Sequence, residues 1–278
     1  GNCMMVSGEG GLSFPLVPLE VQQVYAWGRD PVRFVRECVN VERLEDWQLE
    51  ALRLVAGNDR VAIRSGHGVG KSAFLSWLIL WWLLTRFPAK VLCTAPKAHQ
   101  LEDVLWAELA KWRRKMRPEF AAQLELKSDK VELIGAGKES FAVARTARKE
   151  NPDAFQGFHS ENQLFLVDES SGVEDVIFEG GEGSMSTVGA KTVLTGNPTR
   201  TKGYFYDAFH KMRGHWRVMH VPCSASRQVE LSYGENMAKR HGIESNIYLV
   251  RVLGEFPRAE DDQVIPLYLV EDAVRREV

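Results

Sequence analysis

Strand-length apolar runs alternate with helix-length ones down most of this chain. Residues 19–57 read as helices at Leu19–Trp27, Asp30–Cys38 and Glu45–Ala56, the last stopped by Gly57-Asn58-Asp59. Strands are then expected at Arg60–Arg64, Lys90–Thr94, Leu164–Asp168, Lys191–Thr195 and Arg217–Val221. The helices expected between and after them are Lys71–Arg86, His99–Lys115, Val173–Glu179 and Gly203–Met212. Residues 130–134 and 140–145 alternate with period two around Gly135-Ala136-Gly137, which reads as a hairpin. The pattern predicts an α/β fold with a mostly parallel central sheet covered by helices. The run Leu75–Leu84 is too short for a bilayer span of about 20 residues and reads as a buried helix.

The flanks differ in composition. Residues 1–18 are rich in Gly, Ser and Pro and are expected to be poorly ordered. Residues 19–221 form the expected main domain, and 222–256 a small helical lid with helices at Ser232–His241 and Glu244–Gly254. Residues 257–278 read as a linker, charged over 257–264, with a new helix beginning at Pro266.

The sharpest chemical signal is the loop Ser65-Gly66-His67-Gly68-Val69-Gly70-Lys71-Ser72 between an apolar strand and a long helix. Strand, glycine-rich loop and helix in that order are what a phosphate-binding P-loop requires. Backbone N–H groups and the helix dipole converge there on phosphate oxygens. Lys71 is placed for the β/γ-phosphates and Ser72 for Mg²⁺. The first position of the pattern is normally glycine, and here it is Ser65.

Downstream, Gln163–Val167 runs apolar into Asp168-Glu169. Ligands collect at the carboxyl ends of strands in open α/β sheets. Asp168 is placed to hold Mg²⁺ through water, and Glu169 to polarise the water that attacks a γ-phosphate. The strand segments lying in sequence between the loop and this acidic pair suggest the class of P-loop NTPase with an additional strand and a catalytic glutamate. With the helical segment at its C-terminal side, this is the expected fold class.

Composition narrows the setting. With 45% hydrophobic and 26% charged residues the chain is globular with an ample core. A net charge of −2 supplies no global field for nucleic acid, so any such contact needs local patches. Candidates are Lys111, Arg113, Arg114, Lys115 and Arg117, and a second group of Arg200, Lys202, Lys211, Arg213 and Arg217; each also reads as a solvated face. Cys3, Cys38, Cys93 and Cys223 have neither disulfide nor zinc spacing, as in a reducing compartment.

Other polar positions sit near the expected nucleotide. The Gln48 carboxamide can match an adenine edge, selecting ATP over GTP, or be an ordinary helix residue beside Trp47. Thr94-Ala95-Pro96-Lys97 with Gln100, and Thr195-Gly196-Asn197-Pro198-Thr199, end two further strands; the second can report hydrolysis. Arg145 and Arg148 are both candidates for an arginine that stabilises transition-state charge, and spacing does not choose between them.

Taken in order, these motifs resemble one family, the large terminase subunits of tailed double-stranded DNA phages. The matching pieces are Trp47-Gln48, residues 65–72, Cys93-Thr94-Ala95-Pro96 with Gln100, Asn151–Gly157, Leu166–Ser170, Thr195–Pro198, Gly254–Pro257 and Val264–Pro266. The resemblance implies an ATP- and Mg²⁺-dependent motor that moves double-stranded DNA into a procapsid. It would act as a homo-oligomeric ring on the portal protein, with a small terminase subunit, in the host cell cytoplasm and without a membrane. It also implies an adenine contact at Gln48 and a coupling segment at Thr195, Gly196 and Asn197. The family's nuclease needs a sheet of clustered carboxylates. With 22 residues after Phe256, this chain is expected to hydrolyse ATP without cutting DNA. A helicase or remodelling ATPase, or a nucleotide-binding assembly module with little turnover, are the other readings of the same motifs.

Overall fold

A computed structural model describes residues 18–146, 158–183 and 185–258. Three helices come first: α1 (Leu19–Arg29), α2 (Pro31–Glu37) and α3 (Asp46–Gly57). Next are β1 (Arg60–Ser65), α4 (Lys71–Thr85), β2 (Ala89–Thr94), α5 (Trp106–Lys115), the short α6 (Pro118–Ala121), β3 (Leu124–Leu126), β4 (Lys130–Leu133) and β5 (Phe141–Ala144). Then follow β6 (Asn162–Val167), α7 (Asp175–Gly183), β7 (Lys191–Gly196), α8 (Tyr204–Phe209), β8 (Arg217–Val221), α9 (Leu231–His241) and α10 (Asn246–Tyr248). The expectations for residues 1–17, Arg148, the Asn151–Gly157 motif and residues 259–278 lie outside the described residues.

The sheet has eight strands in the order β3-β4-β5-β2-β6-β7-β1-β8. The six from β5 to β8 run parallel, and the β4–β5 hairpin and β3 extend one side antiparallel. The parallel part needs cover on both faces, and side-chain alternation supplies two cores. Val61, Ile63, Val91, Cys93, Leu164, Leu166 and Val193 face the core built on α1–α5. Ala62, Leu92, Phe165, Val167 and Leu194 face the core built on α7 and α8.

The expected class with an additional strand holds, but its sequence argument needs correcting. The strand between β1 and β6 is β7, which follows the acidic pair in the chain. The segments that precede the pair, β2 to β5, lie on the far side of β6. Sequence separation does not give spatial order where crossovers are long. The three-residue β3 was not foreseen, because so short an edge strand carries no measurable period. The expected single helix over 99–115 opens instead as a π-helical turn at Gln100–Leu105 before α5.

α4 anchors the larger core. Every residue from Phe74 to Leu84 is buried, as expected for a helix apolar on all sides. Trp81 donates its indole N–H to the Trp27 carbonyl at 2.7 Å and packs edge-on to Trp82. Arg86 closes the helix with its guanidinium over both rings, 4.3 Å from Trp81 and 4.0 Å from Trp82. Burial lowers its pKa to about 10, and the two ring faces provide cation–π stabilisation. Among the described residues no helix is long and apolar enough to cross a membrane.

Residues 222–258 fold back across the loop end of the sheet. A 3₁₀ turn at Cys223–Ala225 leads to α9, then α10 runs into a π-helical turn at Leu249–Leu253. Phe256 reaches the second core beside Phe205, Tyr206 and Phe209. Arg64, the penultimate residue of β1, bonds the Gly254 carbonyl at 2.6 Å and the Glu255 carboxylate at 3.1 Å.

Replacing Trp81 with alanine is expected to remove about 3–5 kcal/mol of stability, the usual cost of a large aromatic cavity. Urea unfolding measures it; a loss well under 1 kcal/mol would contradict the central role given to α4.

Candidate functional site

The glycine-rich loop owes its shape to two glycines in the left-handed region, Gly68 at φ 73° and Gly70 at φ 102°. Side chains rarely tolerate that conformation. The loop is held from outside through its carbonyls. Trp47 Nε1 and Ser226 Oγ both donate to the Val69 carbonyl, at 3.0 and 3.1 Å. Gln48 Nε2 donates to the Gly70 carbonyl at 3.1 Å. α4 begins at Lys71 with no side-chain cap, so its first-turn N–H groups and positive dipole end face the loop.

The first loop residue is Ser65, fully buried, with its hydroxyl lacking a hydrogen-bond partner. Gly254 packs directly on the backbone at that end. It crosses the Ser65–Gly66 peptide at φ 63°, and a Cβ there would lie 2.7 Å from Gly66 N and 2.8 Å from Ser65 C.

Lys71 reaches across the sheet end to the acidic pair. Its Nζ lies 2.6 Å from Glu169 Oε1 and 3.2 Å from Asn197 Oδ1. Burial opposes its charge, but Glu169 and Asp168 outweigh that and hold its pKa above the usual lysine value. Burial pushes the Asp168 carboxyl up, with Lys71 acting against the rise. Asp168 Oδ1 accepts from Thr195 Oγ1 at 3.1 Å and from the Glu169 N–H at 2.9 Å. Glu169 itself adopts the left-handed conformation at φ 48°, a sparsely populated state for a side-chain-bearing residue that its neighbours must enforce. Gly196 does part of this: a Cβ on it would lie 2.9 Å from Ser170 N and 3.2 Å from Glu169 Cα.

β1, β6 and β7 thus bring together Lys71, Asp168, Glu169, Thr195, Gly196 and Asn197, residues named from sequence. Ser72 follows Lys71 in the first turn of α4. Among the described residues no group of three His, Cys, Asp or Glu side chains could hold a metal. A Mg²⁺ ion does not need one: it binds one or two protein oxygens, keeps waters and takes substrate phosphates. The Ser72 hydroxyl and the Asp168 carboxylate are the right donor chemistry for that mode.

Two sequence expectations are corrected. Gln48 is 1% exposed, and besides Gly70 it serves Glu45, accepting that residue's N–H at 3.0 Å in a capping box. Both ends of its carboxamide are engaged with backbone, so it braces the loop and presents no edge to an adenine. Gly66 and His67 give their N–H groups to the Val221 and Arg251 carbonyls, at 2.9 and 2.8 Å. Those two amides are occupied within the chain. Arg145 stands at the end of β5, separated from β6 by β2, with its guanidinium 4.6 Å from the Phe158 ring centroid.

Elsewhere, Gln100 accepts the Lys97 N–H at 3.2 Å and shapes the turn after β2. In the first basic cluster Arg113 bonds the Ala121 and Leu124 carbonyls, and Arg117 pairs with Glu119. Lys111, Arg114 and Lys115 remain exposed. Cys38, Cys93 and Cys223 are unpaired and buried. Cys223 sits under the loop, its thiol 3.3 Å from the His67 carbonyl, and burial raises its pKa to about 11. Sequence reading missed Ser226, Arg251 and Gly254, because contacts spanning more than half the chain leave no local pattern.

No family model matches the chain. It is 27% identical over 229 residues to a probable terminase large subunit of Enterobacteria phage P7, a match covering 78% of this chain and 46% of that protein. The chain therefore spans about half the length of this curated relative. Its fold is similar to the large terminase of a thermophilic bacteriophage in complex with ADP, with a TM-score of 0.62 and 14% identity over 77% of this chain and 54% of that one. It is also similar to the large terminase ATPase domain of Thermus phage P74-26, with a TM-score of 0.60 and 15% identity over 77% of this chain and 94% of that one. The chain is thus similar in sequence to a phage large terminase over 78% of its length and shares the P-loop NTPase fold of large terminase ATPase domains.

Proposed function

We propose that the chain is the ATP-hydrolysing motor domain of a viral terminase, driving double-stranded DNA into a procapsid. The observation that carries the reading is the meeting of Lys71, Glu169 and Asn197 around one point at the carboxyl ends of three parallel strands. The relationship to the phage P7 protein supplies the biological setting. DNA, a portal protein and procapsid, a small terminase subunit and a ring of identical motors in the host cytoplasm belong to this proposal. So does a division into a motor body over 19–221 and a cap over 222–256.

In the proposed reaction the triphosphate lies along the loop, with amides from Gly68 onward and the Lys71 ammonium on its phosphate oxygens. Lys71 is shared: phosphate oxygens compete with Glu169 for it, and a Glu169 oxygen relieved of that ion pair is available to water. Glu169 orients the water and accepts its proton as oxygen attacks the γ-phosphorus. The bond between that phosphorus and the β–γ bridging oxygen breaks, and ADP and inorganic phosphate result. Ser72 and Asp168 would hold Mg²⁺, which when bound neutralises phosphate charge and helps align the γ-phosphate. Thr195 orients Asp168, and Asn197 moves with Lys71, so the end of β7 senses which partner the lysine holds. Arg145 or Arg148, in its own or a neighbouring subunit, is the proposed source of additional positive charge.

Glu169→Gln is expected to lower kcat for ATP at least ~100-fold, the scale of general-base loss, while ATP still binds. A phosphate-release assay with parallel binding titration checks this, and near-normal turnover would remove Glu169 from the role. Lys71→Ala should weaken ATP binding itself; unchanged affinity in the same titration would refute the phosphate loop. Thr195→Val keeps the shape of the side chain but frees Asp168 from its 3.1 Å bond. It should raise the Mg²⁺ concentration needed for half-maximal activity, and an unchanged Mg²⁺ titration would show that Thr195 has no such part.

A further inference from the structure

The correction at Gln48 leaves the base of the proposed nucleotide without a reader, and a second glutamine lies beside the same loop. Both carboxamides converge on Gly70: a Cβ built there would be 2.8 Å from Gln48 Nε2, 3.1 Å from Gln228 Nε2 and 3.2 Å from Gln228 Oε1. Their situations differ. Gln48 is buried and bonded at both ends. Gln228 is exposed, and among the described residues its carboxamide makes no hydrogen bond; only its backbone N–H is engaged, with Ser226 Oγ at 3.2 Å.

The backbone around Gln228 is fixed to the loop itself. Ser226 Oγ donates to the Val69 carbonyl. The Arg227 N–H donates to Glu45 Oε2 at 3.2 Å, and the Arg227 side chain pairs with the same carboxylate at 3.5 Å. Val229, on the other side, packs on the larger core. A free amide with one donor and one acceptor edge is thus held at the entry to α4, on a segment that cannot shift without the phosphate loop.

We infer that Gln228 is the specificity-determining residue for the base, reading adenine through its carboxamide while Gln48 only braces the loop. This rests on the nucleotide-binding reading above. The chemistry is selective. Adenine offers a donor and an acceptor, its 6-amino group and N7, and a glutamine amide matches both. Guanine offers two acceptors on that edge, so one of its contacts with the amide is lost. A neutral amide is also better suited to a base edge than to a phosphate, which selects cationic donors.

The test is a Mg²⁺-containing calorimetric titration of the 278-residue chain with ATPγS and with GTPγS. The unaltered chain should prefer the adenine nucleotide by roughly 5- to 150-fold, the worth of one bidentate base contact. Gln228→Ala should erase most of that preference by weakening ATPγS far more than GTPγS. Gln48→Ala should weaken both nucleotides by the same factor, because it loosens the phosphate loop. An unaltered chain without preference, or a Gln228→Ala chain with its preference intact, would overturn the inference while leaving the motor reading standing. Failure of either nucleotide to bind the unaltered chain would overturn both. Gln228 is exposed, so its truncation does not endanger the fold.

Discussion

The Lys71 ammonium and the Glu169 carboxylate lie 2.6 Å apart with Asp168 beside them, all largely removed from water. One cation and two carboxylates in so small a space are costly to bury unless each is paired and hydrogen-bonded. The rest of the site supplies that satisfaction: Thr195 and the Glu169 N–H serve Asp168, and Asn197 shares Lys71. The same polarity makes the arrangement a receptor, because a group with more negative charge than Glu169 can claim the lysine. An anionic phosphate is such a group.

Holding that cluster requires strands in one order. β7 between β1 and β6 puts Thr195, Gly196 and Asn197 against Asp168 and Glu169 on one side and the loop on the other. Parallel strands present all their carboxyl ends at one edge, and burial on both faces keeps the edge rigid. The all-apolar α4 serves this as well as stability. It fixes the direction in which its N-terminus, and therefore Lys71, points.

The C-terminal segment takes part in the loop rather than merely covering it. Val221, Arg251 and Gly254 contact Gly66, His67 and Ser65 through backbone atoms, and Ser226 adds a side-chain bond to Val69. The phosphate loop is accordingly a composite of two stretches of chain far apart in sequence. Arg64 ties this to Glu255 and, through the packing of Phe256, to the core under α8. Any displacement of residues 251–256 changes the shape of the loop.

The sequence alone determined what each short stretch could be. The apolar run into Gly66–Ser72, the acids closing β6 and the amphipathic alternation of β4 and β5 are local, because helix, strand and turn preferences act over a few residues. Residue chemistry likewise named Lys71, Asp168, Glu169 and Asn197 before any contact was known. Tertiary structure decided who stands next to whom. It put β7 rather than an earlier strand beside β1, turned Gln48 inward to Glu45 and Gly70, left Gln228 open, and set Gly254 over Ser65. Apart from Gln48's nearer partners, those outcomes come from packing between segments far apart in the chain, and each is a competition for one space or one hydrogen bond. Such a competition is resolved only when all the contenders are folded together.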